Sequence, residues 1–126
     1  MRYLSSAWLE AAGDALAGDP GLPTATAGIR LTLEQVVHDT PEGTVVWHLV
    51  IDDGVRLAVG AAEHADLRFT TSYPIAAAIA AGELAAQRAF ICGDLRLGGN
   101  LSLLSRHQRA LAAVHDVLGD LRKATS

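Results

Sequence analysis

The sequence predicts an α+β fold, a five-stranded sheet with helices packed over one face. Three observations predict it. Apolar residues recur at helical spacing near both ends of the chain. Between them the period drops to two, as it does for half-buried strands. Strands come in a run and helices largely follow, which separates the two kinds of element instead of alternating them.

The elements follow in order. Leu4, Trp8, Ala12 and Ala15/Leu16 predict a helix over 3–17, which Gly18 ends. "GDPGLPTATAG" (18–28) is rich in turn residues and reads as a loop. Ile29, Leu31 and Leu33 then alternate with Arg30, Thr32 and Glu34, giving a first strand. "TPEG" (40–43) turns the chain into "TVVWHLVI" (44–51), and "DDG" (52–54) is a hairpin signal leading to Val55, Leu57 and Val59. "DLRFTT" (66–71) predicts a fourth strand and "DLRLG" (94–98) a fifth. Between these two, Pro74 opens an alanine-rich helix. Gly82 breaks it, and a second short helix runs over 83–90. A long helix over 101–121, capped by Asn100, closes the chain.

The alternation places the apolar strand residues against the helices and Arg30, Arg56, Arg68 and Arg96 on the opposite face. That face reads as a solvated sheet surface. The competing reading is a docking surface for an acidic partner or anionic lipid.

At 126 residues the chain has the length of one domain, taken as 1–126. Half of it is hydrophobic and only 5% aromatic, so its apolar content is mostly Ala, Leu and Val. Such small residues suit close helix packing or a fold that leaves a cavity. A net charge of −4 argues against a nucleic-acid partner. No apolar run reaches the ~18 residues of a membrane span. The N-terminal stretch makes a poor signal peptide, so the expected location is cytoplasmic. Nine of the ten basic residues are arginine, which with the alanine content points to a bacterial source.

The usual chemical motifs fail. Cys92 stands alone, which excludes a disulfide framework and a cysteine metal site, and it reads as a buried small residue. His107 and His115 are eight apart, too far for a helical metal pair. His48 falls opposite the apolar set. There is no G-x-S-x-G elbow and no phosphate loop. No metal, cofactor or catalytic residue is expected.

The segment "AAGELAAQRAFICGDLRLGGNLSLLSRH" carries a resemblance. Gly82, Leu84, Ala89, Phe90, Gly93, Leu95, Gly99 and Asn100, with "GIRLTLE" and "TVVWHLVIDDGVRLAVG" upstream, resemble the sterol carrier protein type 2 (non-specific lipid-transfer protein) domain over 28–108. The resemblance implies a sheet with helices over one face and an apolar cavity between the layers. It implies a non-enzymatic carrier of fatty acid, acyl-CoA, sterol or a similar ligand, with no stable membrane insertion. A homodimer or a partner enzyme is left open, the latter with the chain presenting a hydrophobic intermediate. The tail "LRKATS" does not match the S-K-L type of peroxisomal address.

The expected ligand contacts lie on the apolar strand faces and the facing helices. They are Leu31, Leu33, Trp47, Leu49, Leu57, Phe69, Ile75, Ile79, Leu84, Phe90, Leu101 and Leu104. Gly98-Gly99-Asn100 has two readings. The helix N-terminus there could face an anion, helped by Arg106 or His107, or Asn100 caps the helix and the glycines only permit the turn.

Overall fold

The computed structural model describes residues 2–121. In chain order these form α1 (Ser6–Gly18), α2 (Leu22–Ala25), β1 (Arg30–Thr40), β2 (Gly43–Asp52), β3 (Val55–Val59), β4 (Leu67–Ser72), α3 (Tyr73–Ala80), α4 (Ala86–Ile91), β5 (Leu95–Gly99), α5 (Ser102–Arg106) and α6 (Gln108–Gly119). The five strands make one mixed sheet of order β3-β2-β1-β4-β5. β1 is its centre, antiparallel to β2 and parallel to β4.

Local chemistry sets most boundaries. Ser5 caps α1 by accepting from the Trp8 N–H at 3.2 Å. The buried stripe Trp8, Leu9, Ala12 and Leu16 then lays α1 on β3 and against α6. The two residues between β2 and β3, Asp53 and Gly54, both have positive φ, as a tight hairpin of this twist requires. That hairpin is tied to the preceding loop. Asp53 accepts from the Gly28 N–H at 2.8 Å, and the buried Thr26 hydroxyl accepts from the Gly54 N–H at 2.7 Å while donating to the Leu22 carbonyl. Pro74 sits in the first turn of α3, where a missing N–H costs nothing.

Three expectations need correction. Residues 18–28 are not all loop, because α2 forms within them and buries Leu22. The C-terminal helix is two helices, interrupted at His107 (φ −112°, ψ 28°). Its predicted last residue, Leu121, falls beyond the end of α6 at Gly119. Cys92 is exposed, at the end of α4, instead of buried.

The face away from the helices is only partly the arginine surface expected. Arg30, Arg56, Arg68 and Arg96 are exposed and share that face by register. Arg30 pairs with Asp52 at 3.7 Å. Glu34 on the same face is buried, however, because the β3–β4 connection (60–66) crosses over it. Its carboxylate accepts from the Arg68 guanidinium and from the Ala62 N–H at 2.9 Å. His48, its neighbour on β2, contacts the Gly60 carbonyl through Nδ1 at 2.8 Å.

Burial opposes ionisation of Glu34, but the hydrogen bonds from Arg68 and Ala62 and the charges of Arg68 and His48 outweigh it. The carboxyl is therefore held below its ordinary value. In the unfolded chain it titrates near the ordinary value of 4.5. As pH falls, the unfolded state takes the proton first, so the stability Glu34 contributes is present above that value. It is lost as pH drops to the lower native one. Glu34→Gln should thus lower stability by about 1–2 kcal/mol near neutral pH, with the gap from wild type closing on acidification. Urea midpoints measured from neutral to acid pH test this, and parallel profiles would refute it.

Candidate functional site

The inward side chains of the sheet and the helices above them do not meet everywhere. They leave a pocket of about 320 Å³. Its floor is the middle of the sheet: Leu33, Gln35 and Val37 of β1, Trp47 and Leu49 of β2, Phe69 and Thr71 of β4, and Leu95 of β5. Ladder register explains the grouping, since Leu33 lies across from Leu49, and Gln35 lies between Trp47 and Phe69. α3 supplies Ala76, Ile79 and Ala80, whose short or slim side chains leave room a larger residue would fill. Leu104 of α5 and Leu111, Val114 and Leu118 of α6 form the roof. They sit at helical spacing, and the apolar register carries on through the interruption at His107. Ala86 of α4 and His115 of α6 are wall residues that also reach solvent, on the exposed side of the pocket.

The remaining wall is aromatic. Trp8 packs edge-on against Trp47, with ring centres 6.0 Å apart, and Tyr3 packs edge-on against Trp8 at 4.9 Å. The Tyr73 hydroxyl donates to the Tyr3 carbonyl and closes this row at the surface. Burial, reinforced by Tyr73, pushes the Tyr3 phenol far above its ordinary value, so it stays neutral. Among the described wall residues none is Asp, Glu, Lys or Arg. Among the described residues, no group of three or more His, Cys, Asp and Glu converges. Such a surface is suited to holding an apolar molecule.

Six of the twelve residues put forward from the sequence stand in this wall: Leu33, Trp47, Leu49, Phe69, Ile79 and Leu104. The other six do not. Leu31 is buried in the core beside Ile51, away from the wall. Leu57 lies beneath α1, where Gly13 approaches it. On α3 the wall is made by Ala76, Ile79 and Ala80, which leaves the half-buried Ile75 to one side. Leu84 falls in the turn between α3 and α4. Phe90 and Leu101 are 45% and 43% exposed, because α4 and the turn before α5 present them to solvent. The missed residues had a signal. Gln35 and Val37 continue the period-two face of Leu31 and Leu33, and Leu111, Val114 and Leu118 continue the stripe of Leu104.

The Gly98-Gly99-Asn100 turn is a structural device. Asn100 Oδ1 accepts from the Ser102 hydroxyl at 2.6 Å and its N–H at 3.3 Å, so its amide already serves the first turn of α5. Gly99 has φ +92° and brings the chain against Asp66, whose carbonyl accepts from the Asn100 N–H at 3.0 Å.

Comparison with known proteins gives the same architecture. A model of the SCP-2 sterol transfer family matches residues 11–112. A hypothetical protein of Thermus thermophilus, put forward as a sterol carrier protein, is 21% identical, with a TM-score of 0.73 over 100% of this chain and 92% of that one. A crystal structure of sterol carrier protein 2 gives 20% identity and a TM-score of 0.73 over 94% and 98% of the two chains. The apo form of sterol carrier protein 2 from Yarrowia lipolytica gives 24% and 0.66 over 92% and 90%. These likenesses show a shared fold. No curated protein matches the chain in sequence.

Proposed function

Because the chain belongs to the SCP-2 sterol transfer family, we propose that it is a carrier that holds one hydrophobic molecule in the pocket between sheet and helices. The observation that carries this reading is the wall itself: a partly open hollow of about 320 Å³, lined almost wholly by apolar side chains. Each methylene buried there contributes about 0.8 kcal/mol, so a long chain binds well with few polar contacts. Fatty acids, acyl-CoA and sterols all present such a body, and a charged or bulky head would remain on the exposed side near Ala86 and His115. The work assigned to the pocket is binding and release, without a chemical step. A second hollow, between α1 and β3, has Glu10, Asp14 and Arg56 in its wall, and charge of that kind does not suit an acyl chain. Among the described residues no helix is long and apolar enough to cross a membrane.

Denaturing extraction of the purified protein, followed by lipid mass spectrometry and competition against a fluorescent fatty acid, tests the proposal. A stoichiometric lipid, or micromolar competition by aliphatic chains, is the expected result. A protein that yields no lipid and takes up no probe would overturn it.

A further inference from the structure

Of the described residues in the pocket wall, Ala86 and His115 are exposed and the rest are buried or half-buried. The side of the hollow that meets water is thus marked by a methyl group and an imidazole. Helix geometry places His115 on the inward stripe of α6, one turn beyond Leu111 and one turn before Leu118, both wall residues. Its neighbour Val114 is buried, so the wall passes from core to solvent between these two residues. Asp116 lies a further ~100° around the helix and is not in the wall. Among the described residues the His115 ring makes no hydrogen bond or ion pair with protein. The wall's other polar side chains are less accessible. Tyr3, Gln35 and Thr71 are half-buried, and the Thr71 hydroxyl already donates to the Asp94 carbonyl at 2.7 Å.

A single-chain lipid that fills this hollow keeps its polar end on the exposed side, because an apolar wall cannot offset the loss of that group's hydration. The hydrogen-bonding side chain it meets there is His115. Resting on the carrier reading, we propose that His115 is the residue that selects the ligand's head, favouring a carboxylate over a hydroxyl or an ammonium. An imidazole N–H donates to a carboxylate oxygen in either protonation state, and the protonated ring adds charge attraction. To an ammonium the neutral ring offers one lone pair, and the protonated ring repels it. No described wall residue is Asp, Glu, Lys or Arg, so nothing else in the wall competes with His115 in setting the sign of the head.

The test compares dodecanoate, dodecanol and dodecylammonium, each displacing a fluorescent lipid from wild type and from His115→Leu, which keeps the wall apolar. The ratio of dodecanoate to dodecanol affinity should fall about fivefold in His115→Leu, the scale of one solvent-exposed charged hydrogen bond. Dodecanol itself should bind both proteins alike, and dodecylammonium should gain on dodecanoate in the variant. A second arm uses wild type alone. The ring resonances of His115, identified by their loss in His115→Leu, should move further with dodecanoate than with dodecanol, while those of His38 and His64, outside the wall, stay in place. Either an unchanged ratio in the variant or an imidazole that responds equally to both heads would overturn the assignment while leaving a carrier intact. If none of the three chains binds wild type, the carrier reading falls and the role of His115 with it.

Discussion

Gly99→Ala is expected to cost about 3–5 kcal/mol, a large share of the stability of a chain this size. Two effects add. Gly99 has φ +92°, a conformation that side chains with a Cβ rarely adopt. A Cβ there would also overlap the Asp66 carbonyl oxygen and stand 3.0 Å from the Asp66 carbonyl carbon and 3.2 Å from Leu67 Cα. The backbone it meets cannot simply move. Asp66 accepts from Asn100 through its carbonyl, pairs with the Thr32 carbonyl through its N–H at 2.9 Å, and accepts from the Thr32 N–H through Oδ2 at 2.8 Å. One residue therefore ties β1, the start of β4 and the end of β5 together. The adjacent Gly98→Ala is the control. Its Cβ would make an ordinary 3.9 Å contact with Arg68 Cβ, so stability should stay within about 1 kcal/mol of wild type. Urea unfolding of the pair separates the cases, and equal midpoints for the two variants would refute the account.

Ala80→Phe is expected to abolish most ligand uptake while leaving the fold intact. Ala80 is half-buried at the end of α3 and forms part of the pocket wall, so a phenyl ring there grows into open space instead of into packed core. Displacing about three ligand methylenes removes ~2.4 kcal/mol of binding, which is roughly fiftyfold in affinity. Ala112→Phe, on the exposed side of α6, should bind as wild type does. Fluorescent-lipid titration of both variants, with thermal unfolding alongside, checks this. Undiminished uptake by a folded Ala80→Phe would move the site elsewhere.

Much of the fold was legible because burial writes its period into each element. Leu31 and Leu33, Val55 and Leu57, and Leu67 and Phe69 each mark an inward face by local alternation. Strand order was not legible, since the parallel pairing of β1 with β4 joins Leu33 to Leu67 and leaves no trace in either strand alone. α2 was hidden because Pro23 and the surrounding glycines look like loop, although Leu22 there is buried in the core. The buried carboxylate of Glu34 could not be foreseen, because what covers it is a connection 26 or more residues further along. For the pocket, half of the expected residues stand in its wall. An apolar side chain shows that a position faces inward, but not whether it meets a neighbour, as Leu31 does, or a gap, as Leu33 does. The alanine-rich stretch 75–81 allows either close packing or a cavity, and nothing in it tells that Ala76 and Ala80 border the gap.

The parallel pairing of β1 and β4 also sets an order of assembly. The β1-β2-β3 meander is built from neighbours in the chain and can form early, since short loops close at low entropic cost. β1, the outer strand of that meander, then keeps one unpaired edge until residues 67–72 are available to dock beside it. During synthesis that edge, with Leu33 and Val37 turned inward and no α3 or α6 yet above them, is where a nascent chain is most open to pairing with another copy. Asp66, bonded to Thr32 through both its N–H and its side chain, anchors the point where β4 begins to cover that edge.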